Sequence, residues 1–224
     1  MSAKINSTST NNAIANVGGM TRSIMAVSQA AARISFVASV ASLVFLAALH
    51  LLSPEFDPSW RMVSEYALGS HGWVLSLMFL AWALSCVALF FAIRSQIKTI
   101  GGKIGLGFLL AAALGMTMAA FFDVKHDLHG LAAIIGIPSL PIAAILIGVG
   151  LGRNSSWTAA RRLLIWTAIL TWVSLVLMNL AIFTGFSQTG AINPGAWFGW
   201  ANRILILAYN GWLMVVAWRG LQMR

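Results

Sequence analysis

The sequence predicts an all-α integral membrane protein, a polytopic bundle of six transmembrane helices with both termini cytoplasmic. Three observations carry that prediction. Of 224 residues, 59% are hydrophobic and 8% charged, against roughly 45–50% and about 25% in average soluble chains, and the mean hydropathy is +0.86. In water such a chain would expose more apolar surface than a monomer tolerates, so its solvent is lipid. Six apolar runs, none with an acid inside, each reach the ~20 residues that a helix rising ~1.5 Å per residue needs to cross a ~30 Å hydrocarbon core. The runs lack period-2 alternation, which excludes a β-barrel. Too few polar positions remain to coat a soluble helical bundle.

In chain order, residues 1–31 are rich in Ser, Thr, Asn, Ala and Gly and read as a flexible polar cytoplasmic tail. Residues 32–220 read as a single six-helix domain. The first apolar run starts too far along and is too long for the core of a signal peptide. The spans are 35–53, 73–93, 104–122, 130–152, 163–186 and 198–218. Gly105, Gly107 and Gly115 allow close helix approach in the third. Pro138 and Pro141 should kink the fourth and free carbonyls that need partners. Asn179, Asn202, Tyr209 and Asn210 are expected to bond between helices. Trp82, Trp172 and Trp212 lie mid-membrane, as core or lipid-facing aromatics or as the wall of an aromatic-lined cavity. Cys86 is the single cysteine, which leaves no disulfide and no cysteine metal site.

Direction follows from the cations. Lys4, Arg22, Arg33, Arg94, Lys98, Lys103, Arg153, Arg161, Arg162, Arg219 and Arg224 fall on one side, against Arg61, Lys125 and Arg203 on the other. The richer side is cytoplasmic by the positive-inside rule. The same flanking cations account for the net charge of +9, so no nucleic-acid partner is expected. Trp60, Trp73, Trp197 and Trp200 would form the outer aromatic belt, Trp157 and Trp218 the inner one. All five acids, Glu55, Asp57, Glu65, Asp123 and Asp127, fall in outward connections. The histidines His50, His71, His126 and His129 fall at the same level or just inside it. The positive-inside rule does not require this of acids or histidines, so any chemical site is expected at the outer helix ends.

Pro54 and Pro58 set turns at the start of the first outward connection, 54–73. Residues 64–69 then read as a short interfacial helix begun by Ser64 and ended by Gly69 as a C-cap, with Glu65 near its positive end. Glu65 either stands in water or is buried against Arg61 or Arg203. In the second connection, continuing the third span as helix would bring Asp123, His126 and His129 onto neighbouring faces. Two imidazoles and a carboxylate are ligands a catalytic zinc takes, with a fourth position for water, although no HExxH motif is present. A polar metal-free site and a solvated turn are the other readings. Arg203 lies on the order of 7 Å below the start of the last span. At that depth it costs up to ~3 kcal/mol unless it snorkels or pairs. Glu65 or Asp123 would be its partner, or it would grip an anionic headgroup or pyrophosphate bidentately.

The stretch Ser64-Glu65-Tyr66-Ala67-Leu68-Gly69 with Gly72-Trp73, the Asp123…His129-Gly130 turn, and Asn202-Arg203 early in the last span together resemble a known family. It is the six-helix bacterial and archaeal membrane family catalogued as domain of unknown function 998, over about residues 33–220. Lys125 and His126 stand where that family's pattern is richer in Pro and Thr. The resemblance implies the six-span count and singles out Ser64, Glu65, Asp123, His129 and Arg203; it brings no settled reaction.

The expected function is that of an intramembrane enzyme or binding protein acting on a lipid, isoprenoid or other amphipathic substrate from the outer leaflet. Carboxylate and imidazole at the lipid–water boundary are suited to proton exchange, which makes Glu65, Asp123 and His129 the catalytic candidates. Arg203 would stabilise anionic charge, with Ser64, Tyr66, Asn202 and Trp200 as further substrate-binding residues. Zinc-assisted hydrolysis through Asp123, His126 and His129 is one variant, and proton-initiated cyclisation of a polyene another. The alternative is a non-catalytic scaffold, sensor or assembly subunit. A small transporter, with six spans forming a pore or carrier as an oligomer, comes third, because no acidic or basic residue lies at the midplane where coupling sites sit. Convergence of Glu65, Asp123, His129 and Arg203 on one cavity would favour catalysis or ligand binding, and scatter into water the scaffold.

Overall fold

The structure is a computed structural model and describes residues 27–185 and 197–223. Six helices are long and apolar enough to cross a membrane: α1 Gln29–Leu52, α2 Gly72–Ile93, α3 Ile100–Phe121, α4 Leu128–Gly152, α5 Arg161–Gly185 and α6 Phe198–Leu221. Short 3-10 segments at Val63–Leu68, Arg94–Gln96 and Ser155–Ala160 lie between them. No strand occurs among the described residues. Of the stretch expected as a tail, residues 1–26 lie outside the described residues, as does Phe186 at the end of the fifth expected span. Ser28 already caps α1, its hydroxyl accepting from the Ala31 N–H at 3.4 Å.

In lipid the helices gain little from burying apolar surface, so close approach and hydrogen bonding hold them together. The buried face of α1 repeats small residues, Ala32, Ser35, Ser39 and Ser42, and lets α2 in close. Ser85 of α2 bonds there to the Ser35 and Ser39 hydroxyls at 3.1 and 2.7 Å. The α3–α4 contact turns on Gly115, where an added Cβ would overlap the Gly136 backbone. Both prolines lie inside α4, which runs unbroken through them. Pro141 has no N–H to give the Ile137 carbonyl, and the Tyr209 hydroxyl of α6 donates to that oxygen at 2.9 Å. Asn179 and Asn210 instead bond back to carbonyls of their own helices. The expectation of interhelical bonds fails for these two, whose amides donate to the carbonyl one turn back, a local bond that short polar side chains in a helix readily make.

Each helix packs against its chain neighbours, and α6 closes the ring on α1. At one end Gln29 Nε2 donates to the carbonyls of Gly220 and Met223, and Asn154 Nδ2 to Gln96 Oε1. At the other end lie the connections that carry all five acids. Here Gly199 N donates to the Ser59 carbonyl and Ser76 Oγ to that of Ala120.

Candidate functional site

The acidic end is organised around Arg203. Gly199 lets α6 press against the first connection, since a Cβ there would collide with the Pro58 carbonyl. One helical turn later the Arg203 side chain, 3% exposed, lies beneath residues 59–66. Its Nε–H donates to His50 Nε2 at 2.7 Å, Nη1 to the carbonyls of Arg61 and Gly199 at 2.9 Å each, and Nη2 to the Tyr66 hydroxyl at 3.1 Å. His50 Nδ1–H donates in turn to the Leu46 carbonyl at 2.7 Å. An imidazole accepting at Nε2 and donating at Nδ1 is the neutral tautomer. Tyr66, fully buried, stands edge-on to the rings of His50 and Phe56.

Arg203 therefore forms no ion pair with a carboxylate among the described residues, contrary to the expected pairing with Glu65 or Asp123, although its charge helps to lower the Asp57 carboxyl. Glu65 is engaged elsewhere. Its Oε2 accepts from the Met62 N–H at 2.7 Å, and its Oε1 lies 3.2 Å from Arg61 Nη1. It caps the positive end of Val63–Leu68, the role its first-turn position favours. That segment ends at Gly69 as expected, but with φ −88°, so no left-handed conformation demands glycine. Space does: a Cβ would lie 2.8 Å from the Phe56 ring. The Ser59 hydroxyl and N–H both donate to Asp57 Oδ1, at 2.7 and 2.8 Å, and hold that carboxyl below its ordinary value, the hydroxyl bond being the larger cause.

The second connection departs from the expected helical continuation. Phe122 is extended, which breaks the spacing that would have stacked the three candidate ligands. Asp123 Oδ1 accepts from Lys125 N at 2.8 Å, and His126 Nδ1 from Leu128 N at 3.1 Å. Both residues are exposed. His129 Nδ1–H donates to the Phe122 carbonyl at 2.9 Å. Each of these side chains is turned to local backbone. Among the described residues no group of three His, Cys, Asp or Glu is placed to hold a metal ion, so Asp123, His126 and His129 do not form the expected zinc set.

The structure does bring His129 together with Ser64 and Asn202. These three are the polar members of a half-enclosed cavity of about 350 Å³, walled otherwise by apolar and aromatic side chains of α2 to α6 and the first connection. The volume lies at the lower end of the range for small-molecule pockets. With Nδ1 committed to Phe122, Nε2 is the His129 ring nitrogen left for a further hydrogen bond. Asn202 Oδ1 accepts from Val63 N at 3.0 Å, and its Nδ2 meets only the Met178 sulfur, at 3.6 Å. The Ser64 hydroxyl makes no hydrogen bond among the described residues. The polar groups gather at the loop-side end, whereas Trp82 lies about 15 Å along α2. The chain matches the family model described as protein of unknown function (DUF998) over residues 36–219.

The chain belongs to this family. No curated protein and no solved structure matches it. Of the candidate site residues in this DUF998 chain, Ser64, Asn202 and His129 line the cavity; of the three mid-membrane tryptophans, Trp82 lines it, whereas Trp172 and Trp212 do not. Asp123 lines a separate shallow hollow with Gly69 and Trp73. Tyr66 and Arg203 are locked together, Glu65 caps, and Trp200 is half exposed away from the cavity. Sequence reasoning missed His50 as the partner of Arg203. The available signal was depth: a histidine one turn inside the end of the first span sits level with an arginine one turn inside the start of the last.

Proposed function

We propose that this DUF998 protein binds an amphipathic small molecule within the membrane, the apolar part in the cavity between α2 and α6 and the polar part at His129, Ser64 and Asn202. The cavity carries this reading: it is half-enclosed among five helices and its polar side chains, Ser64, Asn202 and His129, are confined to one end. A scaffold needs the Arg203 lock but gains nothing from an unfilled centre, which forfeits packing contacts. The enzyme reading is less well supported, because neither Glu65 nor Asp123 reaches the cavity to serve His129 as acid–base partner. The distribution of Lys and Arg, eleven against three, supports cytoplasmic termini and a polar cavity end facing the outer leaflet of a cell membrane.

The test is photolabelling of the purified full chain in nanodiscs with a diazirine fatty alcohol. Adducts are expected on cavity residues such as Met116 and Met178, and Ala133→Phe, which fills the space, should abolish them. Labelling spread over lipid-facing side chains, or unchanged in Ala133→Phe, would refute the reading.

A further inference from the structure

The cavity wall narrows the chemistry of its occupant. No Lys, Arg, Asp or Glu is among its described lining residues, and His129 is the one titratable side chain there. Residues 186–196, between α5 and α6, lie outside the described residues, but their sequence holds no Lys, Arg, His, Asp or Glu. That segment therefore has no counter-ion to contribute. Arg203 is not on the wall and gives four N–H groups to protein acceptors. Glu65 is not on the wall either, and its oxygens are taken by the Met62 N–H and by Arg61. An anionic or cationic head placed here would give up its hydration without meeting an opposite charge, the condition that makes a buried ion most costly.

The polar end is equipped for hydrogen bonds of both directions. Asn202 Nδ2 meets only the Met178 sulfur, at 3.6 Å, and a thioether is a weak acceptor. Asn202 Oδ1 holds the Val63 N–H at 3.0 Å and so fixes the position of Ser64, the next residue, whose hydroxyl is unbonded among the described residues. His129 gives its Nδ1–H to the Phe122 carbonyl at 2.9 Å and has Nε2 to spare. The wall thus offers an N–H donor short of a good acceptor, a hydroxyl that works either way, and a ring nitrogen. A head that both accepts and donates uses both kinds of group, whereas an ether or ester oxygen only accepts. Resting on the binding reading above, we propose that the ligand is an uncharged lipid alcohol. Its hydroxyl oxygen accepts from the Asn202 amide, and its O–H donates to the Ser64 oxygen or to His129 Nε2. Its hydrocarbon tail occupies the apolar remainder of the cavity. The proposal concerns binding alone.

The test uses the full chain in phosphatidylcholine nanodiscs at about pH 8, above the ordinary imidazole range. Four competitors with one tail and different heads are added by mole fraction in the bilayer: oleyl alcohol, oleyl methyl ether, oleyl phosphate and oleyl trimethylammonium. Each is scored by how far it displaces the diazirine fatty alcohol from the cavity. Oleyl alcohol should displace it at about fivefold lower mole fraction than the ether, the worth of one donated hydrogen bond. Against the phosphate and the ammonium the advantage should be at least about tenfold, because each of those heads is an unpaired ion in the cavity. In the double variant Ser64→Ala, His129→Phe, which removes both acceptors, the advantage of the alcohol over the ether should vanish. If that variant fails to fold, the ranking in the wild type decides. Equal displacement by the alcohol and the ether, displacement by either ion at the mole fraction of the alcohol, or an advantage over the ether that survives in the double variant overturns the proposal. Should the diazirine alcohol label the cavity and all four competitors displace it equally, only the alcohol inference falls; absence of cavity labelling removes the binding reading as well.

Discussion

Replacing Arg203 with methionine tests whether the acidic end is held by neutral acceptors around one buried cation. Methionine keeps the length and apolar stem but donates nothing. The Gly199 carbonyl retains its place in the α6 ladder, whereas the Arg61 carbonyl, His50 Nε2 and the Tyr66 hydroxyl oxygen each lose the Arg203 donor. An orphaned buried acceptor costs ~1–3 kcal/mol. Arg61 and His50 are partly exposed, so water relieves some of that, and about 4 kcal/mol is a fair total, similar to the loss on breaking a buried ionic contact. For a chain of this size ~1 kcal/mol moves Tm by about 2–4 °C, so a fall of about 10 °C is expected. The protein supplies its own reporter: Cys86 is its only cysteine and is fully buried, so a fluorogenic maleimide reacts only as the bundle opens. Arg203→Lys keeps the charge but not the fork, and should fall between wild type and Arg203→Met. A shift below about 2 °C in Arg203→Met, less than ~1 kcal/mol, would refute the account, because it would mean that the four bonds do not hold the end together.

The same maleimide assay reads the remaining predictions. Gly115→Val should prevent stable folding, because its Cβ would overlap the Gly136 backbone, while Gly107→Ala, whose Cβ meets nothing within 4 Å, should be neutral or stabilising by up to ~1 kcal/mol. Tyr209→Phe should cost about 1 kcal/mol through the stranded Ile137 carbonyl; adding Pro141→Ala restores a backbone N–H to that oxygen, so the double variant should lose less than the two singles combined. The Asp57 carboxyl is held below its ordinary value of 3.8 by the Ser59 hydroxyl and N–H. Its contribution is therefore complete above that value and lost as pH falls through the lowered one, and Asp57→Asn should flatten the acid-side fall in Tm.

The helices were legible because lipid imposes length and composition on each span separately. The boundaries that moved did so for local reasons. α3 starts at Ile100 because the Thr99 hydroxyl caps it, accepting from Gly102 N at 3.1 Å, and α5 takes in Arg161 and Arg162, which a hydropathy reading leaves out. The polar end was legible in content but not in pairing. Arg203 needed acceptors, and charge alone nominated Glu65 or Asp123, yet the Arg61 carbonyl, a neutral imidazole and a phenol served instead. None of these carries a sequence signature of being near residue 203. Similarly, Pro141 announced a free carbonyl without announcing Tyr209. The cavity was least legible, because an unfilled volume is a property of how side chains meet. The Phe, Met and Ala residues that line it would read the same in a filled core.

Two adjacent residues of α6 show how the lock and the cavity depend on each other. Successive helical residues point ~100° apart, so Arg203 turns toward α1 and the first connection while Asn202 turns toward α5 and the cavity. Asn202 Oδ1 also takes the Val63 N–H, next in sequence to Ser64 on the cavity wall. The first connection is thus fixed to α6 from two sides, by the Arg203 bonds to Arg61 and Tyr66 and by the Asn202 bond to Val63. An unfilled volume in a bundle tends to collapse, because its walls gain dispersion contacts by closing. Here the connection and α6 are held at a set separation by directional bonds around a desolvated guanidinium, which cannot slide without stranding acceptors. The charged residues of the acidic end can therefore keep the cavity open without lining it: no Lys, Arg, Asp or Glu is among its described lining residues.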